Sequence, residues 1–202
     1  MRSDLTGTVE EITAAYAAAR ESSLVVQHET PGLLRLRGTN TLDFLHRMST
    51  NDMVGLEPGA MHGTVLTTAI GRIVDVVYAL RRPAEILLLT TPGRQGAVRG
   101  WLGRYIFFED DVRIEGVADP FSFFGVYGPL SATKAEALGA PWPLAPGGFS
   151  ELGDGLMWET ALPVPGFRLL AGVETDARAR SQWGEQAIAP AGRMAVPSTM
   201  TL

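Results

Sequence analysis

A single carboxylate inside an apolar segment raises the first chemical question in this chain. Asp75 interrupts residues 73–78, Ile-Val-Asp-Val-Val-Tyr, which read as a strand. Strand alternation places Asp75 on the face shared with Ile73 and Val77. A buried carboxylate is costly unless it is paired or functional. Asp75 therefore either hydrogen-bonds the polar edge of a ligand in a concave pocket or faces water from an edge strand, and the residues alone leave both interpretations open.

Two other polar groups could contribute to a ligand site. The run Ser49–Asp52 follows a predicted helix, and such side chains commonly bond the local backbone, which favours a helix-ending turn. The alternative is the polar rim of a pocket, with Asn51 as the candidate contact. Arg81 and Arg82 follow the strand of Asp75 and could bind a carboxylate tail, but strand ends often carry arginine for solubility, and we favour that interpretation.

The sequence contains no familiar catalytic motif. It contains no Walker loop, dinucleotide-type glycine fingerprint, nucleophile elbow or HExxH motif. The histidines are His28, His46 and His62, and none has a second histidine at metal-ligand spacing. The lack of cysteine excludes disulfides, thiolate metal sites and cysteine nucleophiles within this chain. We therefore predict no metal site.

The composition is that of a folded protein with no general affinity for nucleic acid. Hydrophobic residues make up 46% of the 202 residues and charged residues 19%. With 17 basic and 22 acidic residues the net charge is −5, which gives little phosphate attraction. No apolar run approaches the ~20 residues of a membrane helix, and residues 1–20 lack the pattern of a signal peptide. We expect a cytoplasmic monomer without a membrane or direct nucleic-acid partner.

The periodicity predicts an α+β fold with mainly antiparallel sheets. The predicted helices cover residues 8–21, a segment capped by Thr39 or Asn40 that ends at 48, a segment from 92 to 101 or 105, 131–138 and 177–183. The predicted strands cover 24–27, 34–36, 61–68, 72–80, 85–90, 112–116, 122–127, 156–160 and 167–172, with a loop at 140–155. We divide the chain into an N-terminal helix (1–23), a main region (24–183) of two interleaved subdomains that separate near residue 116, and an irregular tail (184–202).

Several segments, in order, resemble one known family. Residues 44–53 and 56–59 resemble the "FL…TNDV..L.PG" signature, and residues 67–75 resemble the hairpin "L-N-x-x-G-(G/R/K)-I-x-D". These are motifs of the glycine-cleavage T-protein superfamily. Residues 125–129 and 165–170 resemble the "G.YGP" and "R.LL" segments of its YgfZ branch. The resemblance runs from about residue 24 to residue 192.

The resemblance implies interwoven ferredoxin-like subdomains around a folate pocket. T-proteins are aminomethyltransferases that pass a one-carbon unit from a lipoyl carrier protein to tetrahydrofolate. YgfZ-like proteins share the pocket and support iron–sulfur cluster assembly or repair and tRNA modification. The resemblance therefore implies tetrahydrofolate or a derivative as ligand, with Asp75, Asn51 and Thr91 as its contacts. It implies iron–sulfur proteins as partners, or a lipoyl carrier protein in the alternative.

Departures from the family pattern favour the YgfZ branch. T-proteins carry a second acid where this chain has Val76, an asparagine near Thr91 and an aromatic residue at Gly63. The YgfZ motif K-G-C-Y-x-G-Q-E does not occur in the chain. We expect a folate-binding YgfZ-like protein, or a portion of one, without independent catalytic activity. An aminomethyltransferase is the first alternative, and a truncated remnant that binds no folate is the second.

Overall fold

A computed structural model describes residues 9–160, 165–184 and 188–190, and these form two compact units. The first unit contains the described residues up to Thr30 and those from Pro120 onward. The second unit is the continuous segment Pro31–Asp119. The chain thus builds the second unit as an insertion between two parts of the first.

Helices and strands alternate irregularly along the chain. In order they are α1 (Val9–Glu21), β1 (Leu24–His28), β2 (Gly32–Arg37), α2 (Thr41–Met48), β3 (Met61–Thr67), β4 (Ile73–Arg81), β5 (Ile86–Thr90), α3 (Gln95–Gly103), β6 (Arg113–Gly116), β7 (Ser122–Tyr127), α4 (Ser131–Ala137), β8 (Phe149–Leu152), β9 (Gly155–Thr160), β10 (Gly166–Ala171), α5 (Val173–Trp183) and β11 (Ile188–Pro190). The predicted α+β class with mainly antiparallel sheets is confirmed.

The first unit contains a six-stranded sheet in the order β11-β1-β7-β10-β9-β8. Among the described strands of this sheet, only the pairing of β1 with β11 is parallel, and the others pair antiparallel. One face of the sheet forms the core, where Phe124 and Phe167 lie against Trp183 of α5. The alternating side chains of β7, β9 and β10 point to the opposite face.

The second unit contains a five-stranded antiparallel sheet in the order β3-β4-β5-β2-β6. Its core joins strand residues such as Leu34, Leu66 and Leu88 to Phe44 of α2 and Trp101 of α3. These buried apolar side chains supply the main driving force for this unit, at roughly 25 cal/mol per Å² of apolar surface removed from water. The sheet order places β4 between β3 and β5.

The prediction for residues 140–177 was wrong in two places. The predicted loop contains β8, which pairs with β9, and the last long helix begins at Val173 rather than at residue 177. Asp154 explains the earlier start, because its carboxylate accepts hydrogen bonds from the backbone N–H groups of Glu174 (2.9 Å) and Thr175 (3.0 Å). This cap comes from the β8–β9 turn, so helical periodicity within α5 does not reveal it.

One predicted helix start also needs correction, and the start of another helix, α2, is held by a bond that the sequence did not predict. The helix α3 begins at Gln95, and Pro92 lies in the preceding turn rather than in the first helical turn. Asn40 is the N-cap residue of α2 but makes no side-chain cap hydrogen bond. Its Oδ1 instead accepts a hydrogen bond from the backbone N–H of Asp111 (3.0 Å), which ties the start of α2 to the segment before β6.

The expected irregular tail includes one short strand. Residues Ile188–Pro190 form β11 and pair in parallel with Val25, Val26 and Gln27 of β1. An available sheet edge thus orders a segment whose own sequence shows no period. Residues 185–187 and 191–202 lie outside the described residues, so for them the irregular tail stays a prediction, as do the boundaries of the three-part division.

Candidate functional site

Asp75 lies inside the sheet of the second unit rather than at its edge. Its strand β4 is flanked on both sides, and Asp75 is directly opposite Leu66 of β3. Only 5% of the residue is exposed, and Val77 on the same face is fully buried. The structure therefore excludes a carboxylate that faces water from an edge strand.

Thr91 supplies most of the hydrogen bonds that make this burial tolerable. The Thr91 hydroxyl donates to Asp75 Oδ1 at 2.5 Å, and the Thr91 backbone N–H donates to Oδ2 at 3.2 Å. The backbone N–H of Val76 donates to Oδ1 at 3.0 Å. A carboxylate offers about four acceptor positions, so these three donors leave one position, on Oδ2, without a donor among the described residues.

A further hydrogen bond, from Arg94, ties the turn after β5 to β4. The Arg94 guanidinium donates to the backbone carbonyl of Val74 at 2.8 Å. The Arg94 backbone N–H donates to the Thr91 carbonyl at 3.0 Å, which closes the turn that leads into α3. Asp75 and Thr91 are thus fixed relative to each other by β4, β5 and the start of α3.

Asn51 is held against β3, in a different part of the same unit. Its Nδ2 donates to the backbone carbonyl of Gly63 at 3.0 Å and lies 3.3 Å from His62 Nε2, while its backbone N–H donates to the Thr64 hydroxyl at 3.2 Å. Among the described residues no hydrogen bond joins Asn51 to Asp75 or Thr91. The structure therefore brings together two of the three predicted contacts, and the role of all three in ligand binding stays a prediction.

Two departures from the family pattern have a structural counterpart on β3 and β4. Val76 pairs with Val65 and points to the sheet face opposite Asp75, so the side chain at this position does not lie beside the carboxylate. Gly63 pairs with Tyr78, whose ring occupies the space above the glycine. A Cβ at Gly63 would lie 3.0 Å from this ring, so Tyr78 supplies an aromatic surface at this position.

The arginines at the end of β4 have partners within the unit. Arg81 donates to the backbone carbonyl of Leu56, and Arg82 Nη1 lies 3.2 Å from Glu85 Oε1. Burial acts to raise the pKa of Glu85, but hydrogen bonds from Arg82 and Arg37 outweigh it and hold that pKa below its ordinary value. These contacts give Arg81 and Arg82 partners within the second unit, which the predicted role in solubility does not describe.

One polar contact was not predicted from the sequence. His28 Nε2 lies 3.0 Å from the Tyr127 hydroxyl in the first unit. Burial, with a smaller contribution from the Arg168 charge, lowers the pKa of His28 to about 4. The two residues are 99 positions apart in the chain, and only the pairing of β1 with β7 brings them together. No local pattern around His28 could have identified this partner.

The described residues contain no group of three or more His, Asp or Glu side chains placed to hold a metal ion. Over the same residues, no helix is long and apolar enough to cross a membrane. The candidate site itself presents one buried carboxylate, that of Asp75, beside Thr91.

A solved structure shares this fold. The chain superimposes on the glycine cleavage system aminomethyltransferase T from Bartonella henselae with a TM-score of 0.77 and 16% sequence identity. The superposition covers 91% of this chain and 52% of that protein. At this identity the likeness concerns the fold alone.

Curated relatives match over shorter stretches. The chloroplastic protein At1g60990 of Arabidopsis thaliana, named only provisionally as a transferase, is 31% identical over 100 residues, which are 50% of this chain and 23% of that protein. An aminomethyltransferase of Pelodictyon phaeoclathratiforme is 27% identical over 136 residues, which are 64% of this chain and 37% of that enzyme. The match thus spans well under half the length of these relatives.

The profile of one protein family covers most of the chain. The GCVT N-terminal domain matches residues 6–143, which include both strands of the Asp75 hairpin and the Thr91 turn. Members of this family bind tetrahydrofolate. The chain therefore belongs to the family of the GCVT N-terminal domain.

Proposed function

We propose that this chain binds a reduced folate and acts in the manner of the YgfZ branch. In that role it supports iron–sulfur cluster assembly or repair, or tRNA modification, without an independent catalytic activity. The observation that carries the proposal is the buried Asp75 carboxylate, held by Thr91 with one acceptor position open on Oδ2. The N–H groups at the edge of a pterin ring are donors of the kind that such an acceptor binds.

The absence of a second acid favours binding without aminomethyl transfer. A transferase has to stabilise charge that develops during transfer, which requires groups placed close to the reacting atoms. Val76 occupies the position of the second acid and cannot supply that charge, and its side chain points away from Asp75. The residues around Asp75 are thus better suited to holding a ligand than to transferring a one-carbon unit.

Thermal unfolding with 5-formyltetrahydrofolate tests the binding claim. At about 100 times its dissociation constant, a ligand stabilises the folded state by about 2.7 kcal/mol, which is a shift of several degrees for a chain of this size. The shift should be absent in Asp75→Asn and retained in Asp119→Asn, the same change at an exposed acid of the same unit. If Asp75→Asn does not fold, equilibrium dialysis of the unchanged chain with 5-formyltetrahydrofolate measures binding directly. If the unchanged chain binds none of this ligand, the folate proposal is wrong.

The cellular role needs a separate experiment. We expect the chain to restore an iron–sulfur-dependent tRNA modification in bacteria that lack their own YgfZ-like protein, and we expect Asp75→Asn to restore less. The modified nucleoside is measured by mass spectrometry. If the chain binds folate in vitro but does not restore the tRNA modification, folate remains its ligand and the proposed cellular role is wrong.

Aminomethyl transfer is the second candidate, because several of the relatives matched by the chain carry that name. The decisive assay supplies the chain with an aminomethyl-lipoyl carrier protein and tetrahydrofolate and measures methylenetetrahydrofolate. Product formation that is lost in Asp75→Asn would establish this candidate in place of the first. A folded, folate-binding chain that forms no product would exclude it.

A further inference from the structure

The turn that follows α3 exposes two neighbouring phenylalanines. Phe107 is 62% exposed and Phe108 is 96% exposed, and Tyr105 just before them is also exposed. Single exposed apolar side chains are common on protein surfaces, whereas adjacent exposed aromatic residues in one turn are typical of an interaction surface. We call residues 105–108 the aromatic turn. It lies in the second unit and takes no part in the folate proposal.

Hydrogen bonds fix the end of the aromatic turn. The Phe107 backbone N–H donates to Asp110 Oδ2 at 2.9 Å, and the Asp110 backbone N–H donates to the Phe107 carbonyl at 3.0 Å. Arg47 of α2 donates to Asp110 Oδ1 at 2.7 Å and lies 3.2 Å from Asp43 Oδ2. These bonds hold the backbone on both sides of Phe108, so its exposed ring is presented by a fixed turn.

Packing fixes the start of the aromatic turn. The Tyr105 backbone N–H donates to the Leu102 carbonyl at 3.0 Å, and the Tyr105 ring lies 5.2 Å from the ring of the buried Trp101. Ile106 packs against the core of the second unit. Binding usually costs free energy to order the loops that make the contact, and a turn that is already fixed loses less of it.

Opposite charges border the aromatic turn at its two ends. Arg104 precedes it and Glu109 follows it, and both residues are exposed. Across residues 9–160, 165–184 and 188–190, neither side chain forms an ion pair, whereas the next acid, Asp110, is paired with Arg47. The turn therefore offers a basic group, a set of aromatic rings and an acidic group, in that order along the chain.

This order of charges is complementary to itself. When two identical segments meet about a two-fold axis, they run in opposite directions, and each residue of one copy meets its counterpart's partner in the other. Arg104 of each copy then faces Glu109 of the second copy, at both ends of the contact. A partner whose rim carried a single sign of charge would attract one of these two groups and repel the other, so a second copy fits the charges better.

We propose that the aromatic turn joins two copies of this chain in a two-fold dimer, in place of the monomer expected from the sequence. Phe107 and Phe108 of each copy pack against the aromatic turn of the other. Buried aromatic residues cover about 150–250 Å² each, so the contact removes on the order of 300 Å² per copy from water. Stable complexes bury about 800 Å² per partner, so this dimer is weak and reversible, with a dissociation constant on the order of 0.1 mM.

Sedimentation equilibrium over concentrations on both sides of that value measures the dimer. Phe108→Asp places a charge in the apolar contact and should weaken association at least about tenfold. Ile70→Asp is the matched control, because Ile70 is 75% exposed in the turn between β3 and β4 of the same unit. It should associate like the unchanged chain. Both variants change exposed side chains, so circular dichroism should show both folded.

Charge reversal tests the two-fold arrangement itself. Arg104→Glu or Glu109→Arg alone sets like charges against each other at both ends and should weaken association about fivefold, whereas the two changes together should restore it.

Three results would each overturn the proposal. The chain could remain monomeric well above the expected dissociation constant, in which case the aromatic turn serves a partner of another kind. Phe108→Asp could associate as well as the unchanged chain, which would place the contact elsewhere. The doubly reversed variant could fail to recover the association that each single reversal loses, which would exclude the pairing of Arg104 with Glu109.

Discussion

At the scale of the residue, the Thr91 hydroxyl compensates the burial of Asp75. Thr91→Val keeps the shape of the side chain but removes the donor that lies 2.5 Å from Asp75 Oδ1. Loss of one partner of a buried hydrogen bond costs about 2 kcal/mol, so we expect the free energy of unfolding to fall by about that amount. Chemical denaturation measures it.

Thr91→Ser is the control for this prediction, because serine keeps the hydroxyl and the backbone N–H that both bond to Asp75. We expect it to lose less than half as much stability as Thr91→Val. Equal losses for the two variants would show that the methyl group matters and that the hydroxyl bond does not.

His28 makes the stability of the fold depend on pH. Its pKa is about 4 in the folded state and about 6.5 when unfolded, so below pH 6.5 the unfolded chain binds a proton that the folded chain does not. The contribution of His28 is fully present above pH 6.5 and is lost as the pH falls towards 4. Allowing for the part-exposed ring, we expect a loss on the order of 2 kcal/mol from this residue.

The measurement is denaturant unfolding at pH 7 and at pH 5, before most carboxylates titrate. His28→Gln removes the titrating group and keeps a side chain that can bond the Tyr127 hydroxyl, so its stability should change less between these two pH values. A variant with the same pH dependence as the unchanged chain would assign that dependence to other groups.

The sequence identified residues at the site but not how they interact. Asp75 stood out because a carboxylate within an apolar strand has to be explained, and Thr91 was named through the family resemblance. Their hydrogen bonds depend on the adjacency of β4 and β5 and on the turn after Thr90, which no local pattern contains. The pair of His28 and Tyr127 was missed for the same reason, since its members lie on strands distant in sequence.

At the scale of the element, Asp154 determines where α5 begins. Its carboxylate accepts from the N–H groups of Glu174 and Thr175, and these bonds outweigh burial to lower its pKa. Asp154→Ala removes the acceptor, and we expect a loss of about 1 kcal/mol in unfolding free energy and a shorter α5. Denaturation monitored by circular dichroism measures both effects.

Asp154→Asn serves as the comparison, because an amide oxygen still accepts one of these hydrogen bonds although it lacks the charge that favours a helix N-terminus. Its loss should be smaller than that of alanine. Alanine and asparagine variants as stable as the unchanged chain would mean that α5 starts at Val173 through its packing alone.

Helices and strands were predictable where the residue pattern that stabilises them lies within the element itself. The strand Ser122–Tyr127 has the predicted bounds, and the β3 and β4 hairpin differs from its prediction by one residue at three of its ends and by none at the fourth. The strands β8 and β11 were missed because they are short and owe their order to a neighbouring strand. Local periodicity reports amphipathic segments, whereas edge strands of this kind depend on the sheet they join.

At the scale of the whole molecule, the insertion of one unit into the other separates strands that must pair. Within the second unit β3, β4 and β5 follow one another and pair in that order. In the first unit Leu24 of β1 pairs with Tyr127 of β7 across the whole of the inserted segment. The entropy cost of closing a loop grows with its length. The pairing of β1 with β7 therefore costs more entropy than the pairings among β3, β4 and β5.

We therefore expect the sheet of the second unit to form first during refolding. Local pairings form earlier than distant ones, and chains longer than about 150 residues commonly fold through populated intermediates. Pulse-labelling hydrogen exchange should show backbone amides of β4 and β5 protected before those of β1 and β7, because the latter pairing waits until Pro31–Asp119 is compact. If the amides of β1 and β7 gain protection at the same time as those of β4 and β5, the two units fold as one cooperative structure, and the insertion does not set the order of folding.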